Sequence, residues 1–149
     1  MVTLEQFRYC PTHSTHPPFC YDFHYVKPGM VAIFGDNGSG KSTLAQLMAG
    51  WYPDFLPGEI TGTGTLLGTP IGRLPFNEQS ATIQLVQQSP YLQLSGCTFS
   101  VEEEVAFGPE NLCLAEKEIM ARIDAALALT ECQPLRHRHP AKLSGGETQ

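Results

Sequence analysis

The pattern of apolar and polar residues predicts a chain that contains both strands and helices. Strands are predicted at residues 2–9, 19–26, 30–34 and 81–86, and a strand with a hairpin is predicted in the Thr- and Gly-rich stretch 58–68. Helices are predicted at residues 42–50, 101–107 and 115–130. The last helix is the most regular, because Ile119, Ile123 and Leu127 recur every four residues and form one apolar stripe.

Residues 30–34 form an uninterrupted apolar run, Met-Val-Ala-Ile-Phe. Such a run is typical of a strand that is buried on both faces of a parallel sheet. A glycine-rich loop follows at once, and the helix predicted after it closes at Gly50, a residue suited to a helix C-cap. The chain is therefore predicted to fold as one α/β unit that also carries antiparallel strands.

The loop at residues 35–42 matches the phosphate-binding pattern G-x-x-x-x-G-K-S/T in full. Its glycines let backbone N–H groups turn toward phosphate oxygens, and the next helix directs its positive end to the same place. Lys41 supplies a cation for the β- and γ-phosphates of ATP, and the Ser42 hydroxyl can ligate Mg²⁺. A chance Gly/Ser loop is the alternative, which the Lys-Ser pair and the upstream strand disfavour. The predicted nucleotide-binding residues of this stretch are Gly35, Asp36, Asn37, Gly38, Ser39, Gly40, Lys41, Ser42 and Thr43.

Composition narrows the choice of partner and compartment. The 149 residues suit one domain, and a net charge of −6 with only nine Lys and Arg argues against nucleic acid as the main partner. Five cysteines without CxxC spacing indicate reduced thiols in the cytoplasm. No apolar run reaches the roughly 18–20 residues of a membrane span, so membrane association is expected only through a partner.

The stretch Leu-Ser-Gly-Gly-Glu-Thr-Gln at residues 143–149 resembles the signature motif of the ATP-binding cassette (ABC) ATPases. The resemblance implies an α/β fold with a P-loop NTPase core, an antiparallel β subdomain and a helical subdomain. It also implies a head-to-tail dimer with a second ABC ATPase subunit or domain, in which the motif contacts ATP held by the other subunit. The residues assigned to this contact are Ser144, Gly145, Gly146 and Glu147. The alternative is a plain Ser-Gly-Gly helix cap.

Two further residues match positions of the same family. Gln88 resembles the glutamine of the Q-loop, which reaches Mg²⁺ and the attacking water; Gln84 and Gln87 are alternatives, and the following Ser-Pro favours Gln88. Mg²⁺ would thus be held by Ser42 and Gln88. Tyr9 occupies the place where the family stacks an aromatic ring on adenine, although a strand tyrosine also serves plain packing.

Within the family, residues 50–62 and 101–112 are similar to energy-coupling factor and cobalt-type importer ATPases. The resemblance implies a membrane-embedded transporter subunit as partner and a peripheral position on the inner face of the cell membrane. One hypothesis is that Glu102, Glu103 or Glu104 pairs with an arginine of that subunit; a solvated acidic helix start is the alternative. The expected organisation is a P-loop core at 1–88, a Q-loop and helical subdomain at 89–142 and the signature at 143–149.

The family pattern continues with an apolar strand ending in Asp and Glu, and no such strand is found in this sequence. The chain is therefore expected to be truncated after the signature, with the C-terminal part of the fold missing, and to be unable to hydrolyse ATP alone. The strand predicted at 30–34 would then have an unpaired edge, so marginal stability is expected. The alternatives to an importer subunit are a non-enzymatic remnant of a disrupted gene and a soluble ABC ATPase acting on DNA or ribosomes.

Overall fold

The computed structural model describes residues 1–149 and divides into two units, Met1–Leu85 and Val86–Gln149. The first unit holds an antiparallel sheet and two helices: β1 (Val2–Pro11), β2 (Phe19–Tyr25), α1 (Lys41–Met48), β3 (Gly58–Leu66), β4 (Thr69–Pro70) and α2 (Phe76–Ser80). The second unit is helical: α3 (Val101–Asn111), α4 (Glu116–Leu129) and α5 (Gly145–Thr148), with 3-10 turns at Pro90–Gln93, Gln133–Leu135 and Pro140–Lys142. No helix among these residues has the length and apolarity that crossing a membrane requires.

The sheet has the strand order β2-β1-β3-β4 and every neighbouring pair is antiparallel. A bulge in β1 lies between Leu4 and Phe7, where Gln6 has a φ of 46°. One extra residue reverses the inward and outward alternation of a strand. The bulge therefore places Leu4 on the same buried face as Phe7 and Tyr9, although their spacing is uneven.

Helix α1 covers this buried face. Leu44 and Leu47 pack against the buried side chains of β1 and form the core of the first unit. The helix closes at Gly50, whose φ is 83° and whose N–H donates to the Leu47 carbonyl at 3.2 Å. The Trp51 N–H donates to the Gln46 carbonyl at 3.1 Å, which completes a Schellman motif. The sequence prediction that Gly50 closes this helix is confirmed.

In the second unit, α3 packs on α4 through Val101, Ala106, Ile123 and Leu127. The apolar stripe predicted for α4 is confirmed, since Ile123 and Leu127 are buried and Ile119 packs against them. Helix α3 was predicted to stop at residue 107 but continues to Asn111. Pro109 removes one N–H donor from the helix, but the backbone around it stays helical, since the Leu112 N–H donates to the Gly108 carbonyl at 3.2 Å.

Two strand predictions are wrong. Residues 30–34 have no strand structure, and Met30 and Phe34 are 99% and 89% exposed. Residues 81–86 form no strand either, because the N–H groups of Thr82 and Ile83 both donate to the Gln79 carbonyl at 2.9 Å and close a turn on α2. A strand needs a neighbour for its backbone N–H and C=O groups, and the sheet among these residues includes neither segment.

Candidate functional site

The phosphate loop at residues 35–40 runs directly into the first residue of α1, Lys41. Its backbone curls at Gly38 and Gly40, whose φ values of 82° and 91° are ones that side-chain-bearing residues rarely adopt. The loop is exposed from residue 35 to 39, Gly40 is buried, and the Ser39 N–H donates to the Asp36 carbonyl at 3.2 Å. The helix start predicted after the loop is present, whereas the strand predicted before it is not.

The side chain of Lys41 lies across this loop. Its Nζ donates to the backbone oxygens of Gly35 and Asp36 at 2.7 Å each and lies 3.4 Å from the Ser39 Oγ. The ammonium group is thus held beside the curled backbone, where the N–H groups at the start of α1 also point. Ser42 and Thr43 stand in the first turn of α1, and the Ser42 side chain is exposed. The nine residues predicted for nucleotide binding between positions 35 and 43 therefore lie together.

A residue that the sequence analysis missed supports the same loop. The Tyr21 hydroxyl of β2 donates to the Gly40 carbonyl at 2.8 Å. A Cβ built on Gly40 would come within 2.6 Å of both Tyr21 OH and Phe19 Cδ1. Only glycine fits at this position, because both its φ and its neighbours exclude a side chain. No sequence signal marks Tyr21, since an aromatic residue in an alternating strand is ordinary.

The structure contradicts the adenine-stacking prediction for Tyr9. Its side chain has an exposure of 0%, and its hydroxyl donates to the Pro57 carbonyl at 2.9 Å. The ring packs edge-on against Tyr52, with the ring centroids 6.3 Å apart. A ring enclosed in this way offers no face to a base, so Tyr9 belongs to the core of the first unit. Burial is the main cause that raises its pKa.

Gln88 lies in the second unit, in an exposed bend before the turn Pro90–Gln93. The neighbouring Gln87 N–H donates to the Gln93 side-chain oxygen at 2.8 Å, which orders this bend. The Gln84 side-chain amide donates to the Ser80 carbonyl, so it is engaged locally in the first unit. Gln84 and Gln88 are both exposed, and Gln84 is engaged locally, so the assignment of Gln88 to Mg²⁺ stays a prediction.

The signature residues form a capped helix start. Ser144 is the N-cap of α5, and its N–H and hydroxyl both donate to the Glu147 Oε2 at 2.8 Å. Arg138 Nη1 donates to the other oxygen of Glu147 at 3.0 Å. The backbone N–H and the hydroxyl of Ser144, followed by Arg138, hold the pKa of Glu147 below its usual range. Gly145 and Gly146 are exposed in the first turn, as the predicted helix opening requires.

The three glutamates that open α3 are all engaged within the chain. Glu102 pairs with Arg136 at 2.5 Å, and Glu103 accepts the Phe99 N–H at 2.7 Å. Glu104 accepts from the Ser95 N–H at 2.6 Å and from the Thr98 hydroxyl at 2.5 Å. These bonds argue against the hypothesis that the carboxylates wait for an arginine of another subunit. The hydrogen bonds of Glu103 and Glu104 instead fix residues 95–99 to the start of α3.

The comparisons with known proteins point to one family. The family model described as ABC transporter matches residues 21–149. A Methanosarcina mazei protein, named as an ABC transporter ATP-binding protein, is 38% identical over 150 residues, covering 100% of this chain and 52% of its own length. The energy-coupling factor transporter ATP-binding protein EcfA1 of Lactococcus lactis is 39% identical over 127 residues, covering 85% of this chain and 43% of its own length.

A solved structure agrees with the sequence matches. The cbiO1 protein of Clostridium perfringens, described as part of the ABC transporter complex cbiONQ, superposes with a TM-score of 0.79 at 29% identity. The match covers 99% of this chain and 57% of cbiO1. The chain thus spans about half the length of the relatives that it matches.

Proposed function

Because this chain belongs to the ABC transporter ATP-binding family, we propose that it acts in the ATP-binding subunit of an energy-coupling factor-like importer. The family consists of ATP hydrolases, and ATP binding and hydrolysis would drive transport. The relatives named EcfA1 and the structural neighbour cbiO1 support the importer type. The observation that carries nucleotide binding is the position of Lys41 Nζ over the curled loop that opens α1.

The loop fits ATP with Mg²⁺ because its donors suit a polyphosphate. Backbone N–H groups of the loop and of the start of α1 would bind the phosphate oxygens, and Lys41 would exchange its two carbonyl partners for the β- and γ-phosphates. The hydroxyl of Ser42 would ligate Mg²⁺, which neutralises phosphate charge when bound. Thr43 stands next to Ser42 in the same turn, and the assignment of Gln88 to the metal rests on the family resemblance alone.

The signature residues would serve a second ABC ATPase subunit or domain. We propose that Ser144, Gly145 and Gly146 contact the γ-phosphate of ATP bound by that partner, in a head-to-tail dimer. The capping box supports this role, since it fixes the Ser144 backbone while Gly145 and Gly146 stay exposed. A membrane-embedded subunit would complete the importer and keep the protein on the inner face of the membrane. The name of EcfA1 as the ATP-binding protein of an energy-coupling factor transporter, and the description of cbiO1 as part of the ABC transporter complex cbiONQ, support this arrangement.

Hydrolysis by residues 1–149 alone is not part of the proposal. The reaction needs a group that orients the attacking water, and Gln88 is the candidate among these residues. The sequence holds no apolar strand that ends in Asp and Glu to supply a stronger one. We therefore expect these residues by themselves to bind ATP without turning it over.

Replacing Lys41 tests the nucleotide-binding role. Lys41→Ala should weaken binding of Mg²⁺-ATP by about 10- to 100-fold, the worth of a hydrogen bond from a charged group. Lys117→Ala removes the same charge from the exposed face of α4 and should leave the affinity unchanged. Calorimetric titration of the two variants and the wild type measures the difference. Equal affinities in all three would reject the assignment.

A further inference from the structure

The carbonyl of Gly40 is the point at which the phosphate loop becomes α1. It accepts the first N–H of the helix ladder, from Leu44, at 2.8 Å. It also accepts the Tyr21 hydroxyl at 2.8 Å, from a strand 19 residues earlier in the chain. One backbone oxygen is thus held both by the helix and by the sheet.

Tyr21 is itself anchored. Its ring lies 6.4 Å from the buried ring of Phe7, measured between centroids, and packs on the core of the first unit. The pKa of Tyr21 is raised to about 12, and burial of the hydroxyl is the largest cause. The hydroxyl is therefore protonated at neutral pH and can donate a hydrogen bond. The hydrogen bond therefore links the rigid core to the loop under ordinary conditions.

The same neighbours restrict Gly40 sterically. Its φ of 91° and the 2.6 Å that would separate a Cβ from both Phe19 Cδ1 and Tyr21 OH exclude a side chain, so Phe19 and Tyr21 lie close against its backbone. The next residue is Lys41, whose backbone N–H begins α1 and whose side chain spans the loop. A shift at Gly40 would therefore redirect both the helix start and the ammonium group.

We propose that Tyr21 is a positioning residue for polyphosphate binding, whose hydroxyl fixes Gly40 and thereby aims Lys41 and the first N–H groups of α1. It touches no phosphate itself. The inference rests on the proposed nucleotide-binding function and adds to it a residue outside the phosphate-loop motif. It predicts that one hydroxyl on β2 tunes affinity for ATP without altering the loop sequence.

Tyr21→Phe tests this role in the full chain, because it removes the hydroxyl and keeps the ring. Affinity for Mg²⁺-ATP should fall about 3- to 10-fold, as the loss of one net hydrogen bond implies. The carbonyl ¹³C signal of Gly40, in protein labelled at glycine, should shift at the same time. Tyr25→Phe removes a hydroxyl from the same strand and should change neither quantity. Lys41→Ala, measured alongside, should weaken ATP binding by about 10- to 100-fold.

The outcomes separate the two hypotheses. If Lys41→Ala weakens binding while Tyr21→Phe and Tyr25→Phe both match the wild type, the positioning role is rejected and the nucleotide site stands. If Lys41→Ala also matches the wild type, the nucleotide site itself fails. Should Tyr21→Phe not fold, the wild type decides: the Gly40 carbonyl must show a deuterium isotope shift from the Tyr21 hydroxyl. A missing isotope shift would overturn the proposal.

Discussion

Two tyrosines on neighbouring strands use their hydroxyl groups for different purposes. Tyr9 donates to the Pro57 carbonyl and fastens β1 to the segment before β3, whereas Tyr21 donates to the Gly40 carbonyl and fastens β2 to the phosphate loop. Tyr9 is fully enclosed and Tyr21 is half-buried. At the scale of single residues, the sheet therefore supports the nucleotide site through β2 and not through the residue first assigned to adenine.

Replacing Tyr9 with leucine should affect folding and not base recognition. We expect Tyr9→Leu to lower the free energy of unfolding by on the order of 2 kcal/mol, because it removes buried ring atoms and the hydroxyl bond to Pro57. The ratio of the affinities for ATP and for inorganic triphosphate should stay unchanged, since the ring does not reach a base. Chemical denaturation and calorimetric titration give the two values.

Phe7→Leu is the matched control for this substitution. Phe7 is an equally buried aromatic residue of β1 that was never assigned to the nucleotide. Both variants should lose stability and keep the same ratio. If the ratio of the affinities for ATP and triphosphate falls toward one in Tyr9→Leu alone, the Tyr9 ring contacts adenine.

The residues of the phosphate-loop motif could be predicted from the sequence, but the residues that hold the loop in place could not. The spacing of Gly35, Gly40 and Lys41 follows from what a phosphate needs of a backbone turn. The roles of Tyr9 and Tyr21 depend instead on which face of the sheet each occupies. For Tyr9 on β1, that face depends on the bulge at Gln6, a tertiary feature that no pattern in residues 2–9 marks.

At the scale of elements, the start of α3 is organised by its own carboxylates. Three glutamates follow the N-cap Ser100, where a helix favours negative charge. Each of them also reaches a partner, as Arg136 pairs with Glu102 and the Ser95 and Thr98 hydroxyls reach Glu104. Besides starting the helix, Glu103 and Glu104 therefore hold residues 95–99 in place through hydrogen bonds.

Glu104→Gln should weaken the hydrogen bonds that hold Ser95 and Thr98 to the start of α3. The Ser95 N–H, the Ser95 hydroxyl and the Thr98 hydroxyl all donate to the Glu104 carboxylate, and a neutral amide accepts them less well. We expect a loss of about 1–3 kcal/mol in unfolding free energy, together with faster hydrogen exchange at residues 95–100. Urea unfolding and exchange mass spectrometry measure the two effects.

Glu116→Gln provides the comparison, because Glu116 also stands in the first turn of a helix, α4, and is exposed. This variant loses the same interaction with the helix dipole but keeps the three hydrogen bonds to Glu104. If both variants lose equal stability, the dipole and not the three hydrogen bonds accounts for the acidic turn.

Elements specified by local sequence signals could be predicted, whereas strands that need a neighbouring strand could not. The apolar stripe of α4 and the glycine that closes α1 specify structure within a few residues. The runs at 30–34 and 81–86 have strand composition, but strand structure needs hydrogen bonds to another segment. Among residues 1–149 no strand pairs with them, and residues 82 and 83 bond to α2 instead.

At the scale of the whole molecule, the two units carry opposite kinds of titrating groups. The carboxylates with lowered pKa values, Glu102, Glu104 and Glu147, all lie in Val86–Gln149. The phenols with raised pKa values, Tyr9 and Tyr21, both lie in Met1–Leu85. For Glu104, burial acts to raise the pKa, but the hydrogen bonds from Thr98 and Ser95 outweigh it.

These shifts predict that acid and alkali destabilise different units. A carboxylate with a lowered folded pKa stabilises the fold above its unfolded pKa of 4.5 and loses that contribution as the pH falls through the folded value. A phenol with a raised pKa does the reverse: Tyr21 contributes fully below its unfolded value of 10.0 and loses its contribution as the pH rises through about 12. The second unit should therefore open first below pH 4.5, and the first unit should weaken first between pH 10 and 12.

Hydrogen-exchange mass spectrometry across pH, corrected for the intrinsic pH dependence of exchange, resolves peptides of the two units separately. Between pH 6 and pH 3.5, protection should fall in peptides of α3 and in residues 95–100, while β1 and α1 change less. Glu104→Gln should blunt this fall because it removes one of the titrating groups. At the alkaline end, Tyr21→Phe should flatten the loss of protection in β2. Equal loss in both units at acid pH would show that the internal hydrogen bonds of Glu102, Glu104 and Glu147 do not control the acid response, since net charge alone would then unfold the chain as a whole.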